Sequence, residues 1–228
     1  MFHRLLSAIG AGVLALTSAH AAYAQDTPVD GLTVIHAGQL MAAPGEDRTR
    51  EEVSILVRGD RIEAIEDGFV TPEGAAIIDL SSAFVMPGFI DAHVHITNQQ
   101  GAGRRISAFT EGPADRAIDG VLYAGRTLQA GFTTVQDVGG NMEAVRALRD
   151  GVEAGDFPGP RMRVAGGAVT PTGGHGDANG WAVQVLRENG SPYACNGAAD
   201  CARATRQLVQ EGADVIKITA TGGVLSST

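Results

Sequence analysis

From Phe84 onward, short apolar runs of strand character alternate with longer helical stretches, and this alternation restricts the fold more than any other feature of the chain. VMPGFIDAHVHI (85–96) reads as a strand, and residues 114–130 read as a helix closed by Gly131. TTVQDV (133–138) is a second strand, and Asn141 is placed to cap a helix ending near Gly151 or Gly155. RMRVA (161–165) is a third strand, followed by a glycine-rich loop containing PTGGHGDANG; a helix over 200–212 then leads to a fourth strand, ADVIKIT (213–219). Strand followed by helix, repeated, demands a parallel sheet with the helices packed on its face. The expected fold class is therefore α/β. A complete (β/α)8 barrel takes ~250 residues. About four units are present here, so the expectation is an open sheet or the first half of a longer, TIM-like barrel that is incomplete in this chain.

The preceding block, Gly31 to Ser82, has a different rhythm. LTVIHAG, VSILVRGDRIEAIEDG and AAIIDL are short alternating strands separated by Gly, Pro, Asp and Arg. Arg58-Gly59-Asp60-Arg61 sits between two of them as a hairpin turn. This predicts a small β unit over 25–82 and an α/β unit over 83–228. Residues 1–24 have the form of a secretory leader: positive charge in Met1–Arg4, an apolar run Leu5–Ser18, and Ala22-Tyr23-Ala24 before Gln25. The apolar run is short for a membrane span, and no Arg-Arg pair precedes it. Export to a bacterial periplasm, with no membrane attachment after cleavage, is the expectation.

With 44% hydrophobic residues and a formal net charge of -9, the composition is that of an acidic globular protein. It lacks the clustered Lys and Arg that a nucleic-acid surface needs. Cys195 and Cys201 are the two cysteines. In an exported chain they can form a short-loop disulfide or remain two free thiols; their spacing does not suit a zinc knuckle.

The chemistry gathers at strand ends. Side chains alternate along a strand with a period of two, so Asp91, His93 and His95 share one face while Ile90, Ala92, Val94 and Ile96 share the other. Neutral imidazoles bind zinc, iron, nickel or manganese, but two are too few for a tight site. Asp91, one inward position below the pair, is placed to orient a ligand histidine. Lys217 lies between Ile216 and Ile218 on the fourth strand. A lysine there is costly unless paired or neutral; an ion pair with Asp214 is one solution. A neutral amine that takes up CO2 as an anionic carbamate, able to bridge two divalent metals, is the other.

MPGFIDAHVH, TTVQDVGG and ADVIKITATGG together resemble the metal-dependent amidohydrolase superfamily, in particular its branch of imidazolonepropionase-related proteins and exported Xaa-Pro or Xaa-Arg/Lys dipeptidases. The resemblance spans nearly the whole mature chain. It implies a composite β-sandwich for the small unit and a binuclear site, with His93 and His95 on one metal and carboxylated Lys217 bridging two, expected to be zinc, with iron, manganese or nickel as alternatives. The implied reaction is hydrolysis of a C–N bond in a dipeptide or cyclic amide. Two further metal-binding histidines and a catalytic Asp belong in such proteins to strands five, six and eight, so this chain supplies no catalytic residue of its own and is expected to be inactive or poorly soluble alone. His175, in the TGGHGD loop, resembles a substrate-side residue; a mobile loop is the competing reading. Arg104 and Arg105 are expected at the surface. The rival function is a catalytically incomplete relative or a metal-free binding domain. Oligomeric state is left open.

Overall fold

The computed structural model describes residues 31–43, 45, 49–101 and 103–223, with Arg104 and Arg105 as backbone only. The leader therefore lies outside the described residues. The chain divides into two compact units between Met86 and Pro87.

The first unit is a four-stranded sheet of order β3-β2-β1-β4: β1 (Leu32–Leu40), β2 (Arg50–Arg58), β3 (Arg61–Asp67) and β4 (Ala76–Val85). The first three strands are antiparallel neighbours, and β4 runs parallel to β1. Arg58 pairs with Arg61 across a two-residue turn, so the RGDR stretch is a hairpin. Ala37, Leu40, Val53 and Ile55 form the buried face. Ile77, Ile78, Leu80 and Phe84 of β4 are exposed. The unit is a single sheet among the described residues, and β4 continues three residues past Ser82, which carries the break between units to Met86.

In the second unit the strands are parallel and the helices amphipathic. β5 (Phe89–Val94) is followed by α1 (Arg104–Thr110) and α2 (Pro113–Gln129); β6 (Phe132–Asp137) is followed by α3 (Met142–Ala154). Then come β7 (Arg161–Val164), β8 (Ala168–Pro171), α4 (Val183–Asn189), β9 (Ala194–Cys195), α5 (Ala198–Glu211) and β10 (Lys217–Ile218). One sheet has the order β5-β6-β7 and a second β10-β8-β9, and they do not close into a ring. All four pairings are parallel. Between β7 and β8, which belong to different sheets, the chain bends. The bend falls at Gly166-Gly167, where Gly166 has φ 66°, a conformation that other residues rarely adopt.

The helices cover the sheet because their apolar residues recur at helical spacing. Val145 and Leu148 of α3, Ala124 of α2, and Ala204 and Leu208 of α5 are buried with Val135, Val164 and Val169 of the strands. Full burial of each Leu is worth about 2 kcal/mol. Asn141 caps α3 by accepting the N–H of Ala144 at 3.1 Å, and Gly155 closes the helix with φ 79°.

Three expectations need correction. The strand over 85–96 is broken: Met86-Pro87-Gly88 is not strand, because Pro has no N–H for a ladder, and the strand ends at Val94. Its apolar face is only partly packed, for Ile96 is buried whereas Ile90 is 73% exposed on an edge strand. The fourth strand shrinks from 213–219 to Lys217–Ile218, because Asp214 and Val215 turn their N–H groups to Val164 O. The α1, α4, β8 and β9 elements have no counterpart in the sequence expectation.

Cys195 and Cys201 are joined in a disulfide across a separation of six residues, tying β9 to the first turn of α5. Cross-linking so short a loop stabilises by roughly 2 kcal/mol. Replacing both cysteines by Ser should lower the unfolding free energy by that amount, read as a reduced midpoint in urea at unchanged slope.

Candidate active site

The C-terminal ends of β5 and β6, the start of β8, the loop after β8, and β10 border a cleft of about 490 Å³. His93, His95, His175 and Lys217 all line it. His93 is on β5 and His95 one residue past its end, so the period-two alternation puts both rings on one side. Their centroids are 5.7 Å apart and the rings meet edge to face.

His95 is held from the next strand. Its Nδ1 lies 2.6 Å from Gly139 O. A carbonyl only accepts, so Nδ1 carries the proton and Nε2 is left with its lone pair, the form in which an imidazole binds metal. A side chain at Gly139 would collide with the His95 ring, so only glycine allows this approach. Gly139 is in turn held by Asp137, the last residue of β6. Asp137 is fully buried; Oδ1 accepts the N–H of Gly139 at 3.1 Å and Oδ2 that of Ile96 at 2.7 Å. Burial pushes its carboxyl above the ordinary carboxylate range, against the pull of the Ile96 and Gly139 N–H groups and the nearby His95.

Asp91 accepts the backbone N–H of His93 at 2.9 Å. It thus acts on the strand backbone, while the orienting contact to a histidine ring comes from Gly139. Lys217 is half-buried on β10. Asp214 is not its partner: Asp214 Oδ2 accepts from Arg149 Nη1 at 2.9 Å and from Val164 N. Lys217 has no ion-pair partner among the described residues. Thr219, on the same cleft wall, has a buried hydroxyl without a hydrogen-bond partner.

His175 is exposed on the turn after β8. Its loop is held by Asp177, whose Oδ2 accepts the N–H of Gly173 at 2.8 Å and whose Oδ1 accepts those of Ala178 at 2.8 Å and Ser191 at 2.7 Å. The last bond ties the His175 loop to the segment Ser191–Tyr193, which lines the same cleft. Burial raises the Asp177 carboxyl, and the three N–H donors outweigh it, leaving the group below its usual range. His36 lies in the first unit, bonded through Nε2 to Val70 O. His3 and His20, and the side chains of Arg104 and Arg105, lie outside the described residues.

No group of three His, Cys, Asp or Glu side chains that could hold a metal occurs among the described residues. The donor set of the cleft nevertheless fits a divalent ion. Two imidazoles, one with its free nitrogen defined by Gly139, supply neutral nitrogen ligands. An anionic third ligand is still needed for a tight site. Asp137, Gly139 and Asp177 were missed in the sequence. Asp137 ends a strand before Gly-Gly, and Asp177 follows Gly-His-Gly; in both places an acid beside glycines marks a carboxylate that holds backbone N–H groups.

Parallel strands whose C-terminal ends gather imidazoles and an amine define an α/β protein with a strand-end site. The chain belongs to the amidohydrolase family, whose model matches residues 84–228. It is 28% identical to the ochratoxinase of Aspergillus niger over 217 residues, covering 86% of this chain and 43% of that protein. Among solved structures it is similar to a Xaa-Pro dipeptidase with methionine bound in its active site (TM-score 0.73, 35% identity, 86% of this chain and 48% of that one). It is also similar to a prolidase in complex with N-methylphosphonate-L-proline (TM-score 0.70, 31% identity, 86% and 48%). The chain spans about half the length of these relatives, and its α/β fold corresponds to about half of their barrel proteins.

Asp137→Ala leaves the N–H groups of Ile96 and Gly139 unpaired and should cost about 3 kcal/mol, measured by urea unfolding. Asp177 has a folded-state pKa below its unfolded value of about 3.9. Its contribution is therefore complete above that value and is lost as pH falls through the lower, folded one. The stability difference between wild type and Asp177→Asn should be constant from pH 7 to about 5 and shrink below pH 4.

Proposed function

We propose that the protein is a hydrolase of carbon–nitrogen bonds, acting on a dipeptide or cyclic amide at a binuclear divalent-metal site bridged by a carbamate on Lys217. The observation that carries this reading is the convergence of His93, His95, Lys217 and His175 on one cleft from separate parts of the chain.

His93 and His95 would hold one metal, and the Lys217 carbamate would bridge it to a second, zinc being the first candidate. Metals held there supply Lewis acidity toward the scissile carbonyl and an activated water. The chain's own residues do the positioning. Gly139 O fixes the His95 ring and its tautomer, and Asp137 fixes Gly139. Lys217, free of Asp214, keeps an amine available for CO2 on the cleft wall. His175 presents an imidazole to the substrate side, suited to a terminal carboxylate such as that of a dipeptide. The methionine and phosphonate-proline complexes of the similar structures support a substrate of amino-acid character.

The catalytic acid–base carboxylate and the remaining metal ligands are proposed to come from strands outside this sequence. The exposed apolar residues Ile90 on the β5 edge and Ile118 and Leu122 on α2 are the surface that such strands and helices would cover. On that reading the 228-residue chain alone is inactive. The small sheet is proposed as half of a composite sandwich, with β4 facing the missing strands. Residues 1–24 are proposed as a secretory leader to the periplasm, a compartment that permits the Cys195–Cys201 disulfide.

Metal analysis tests the reading. The complete protein, carrying the remaining strands and prepared with zinc and bicarbonate, should bind divalent metal, and Lys217→Ala should abolish most of it, with short-chain carboxylic acids restoring binding by replacing the carbamate. A complete wild-type protein that binds no divalent metal under these conditions would leave the metal-free binding domain as the better account.

A further inference from the structure

The cleft at the strand ends has a neighbour. A second cleft, of about 390 Å³, is flanked by Pro113, Glu143, Arg146 and the end of α5. The two have three lining residues in common: Asn141, Met142 and Tyr193. These residues stand between the clefts, and each is fixed. Asn141 is the cap of α3. Met142 is buried, its side chain packed against Gly166 so closely that a Cβ there would overlap it.

Tyr193 is held most firmly. Its phenol donates a hydrogen bond to Glu211 on α5, and the other oxygen of Glu211 accepts from Gln207 at 2.9 Å. Its backbone N–H donates to Ser191 Oγ at 3.2 Å. Its ring packs so closely on Gly167 that any side chain on residue 167 would occupy the space of the ring. Two residues later the chain is cross-linked through Cys195. Burial, then the hydrogen bond to Glu211 and the charges of Glu211 and Glu143, raise the phenol well above its ordinary range.

The bend at Gly166-Gly167 therefore makes room for a particular wall. Val138, Met142, Pro192 and Tyr193 give this part of the first cleft an apolar lining, distinct from the His and Lys side chains that carry the chemistry. A fixed aromatic plate between two volumes sets the size of whatever occupies one of them. We propose that Tyr193 is a specificity-determining residue that closes the apolar part of the strand-end cleft, restricting the substrate to amides whose acyl group is compact and apolar. The proposal rests on the hydrolase reading for its catalytic test, and on the shared wall for its binding test.

A series of N-acyl-prolines, from acetyl through benzoyl to 1-naphthoyl, read on the complete protein, decides it. Tyr193→Ala joins the two volumes and should raise the kcat/KM of the naphthoyl compound relative to the acetyl one by about tenfold or more. Tyr193→Phe keeps the plate and loses only the phenol, so its ratio should stay within about twofold of wild type. Tyr193→Leu serves if the Ala variant fails to fold by circular dichroism, and should show an intermediate ratio. A folded Ala or Leu variant with the wild-type ratio would overturn the proposal. If no compound is hydrolysed by any form, the hydrolase reading fails separately, and fluorescence titration with 1-naphthoyl-proline still decides the wall: about tenfold tighter binding to Tyr193→Ala supports it, and equal binding to both forms refutes it.

Discussion

The arrangement at the strand ends depends on one buried carboxylate. Asp137 sits at the end of β6 and reaches two backbone N–H groups that the sheet itself leaves unpaired, one after β5 and one in the following Gly-Gly turn. Buried N–H groups without partners are costly, and a charged acceptor removed from water is costly too unless fully satisfied. Each solves the other's problem. The geometry that results carries the Gly139 carbonyl to Nδ1 of His95. A polar contact needed for folding thus decides the tautomer of a residue placed for chemistry.

Asp177 plays a parallel part in the loop after β8. It gathers three N–H groups of the His175 loop and the Ser191 segment. The loop is rich in glycine, which costs more backbone entropy on folding than other residues. A carboxylate with several N–H donors offsets that cost without filling the cleft. Glycine serves the same end elsewhere: Gly139 admits His95, and Gly167 admits Tyr193. The cleft is shaped as much by missing side chains as by those that line it.

Much of this was legible in the residues. The strand–helix rhythm after Phe84, the cap at Asn141, the hairpin at Gly59-Asp60, and the common face of His93 and His95 all follow from local rules of spacing and turn chemistry. Other features were not. The short fourth strand depends on Asp214 and Val215 bonding Val164, fifty residues away. β8, beyond the bend at Gly166-Gly167 where Tyr193 packs, has no local signal of its own. The partner of Asp214 is Arg149, where a reading along the chain offers Lys217, its near neighbour, first. Ile90 is exposed because β5 is an edge of the described sheet, which its apolar pattern does not disclose.

The amino-acid order alone determined the α/β class, the small β unit and the residue types available for metal and substrate. Those properties are local, set by periodicity, capping and the chemistry of single side chains. Tertiary structure decided which of those residues share a cleft, which carbonyl orients His95, that the two cysteines are bridged, and that Tyr193 separates two volumes. Each of these joins groups from different elements, brought together only when the helices bury their apolar faces on the sheet.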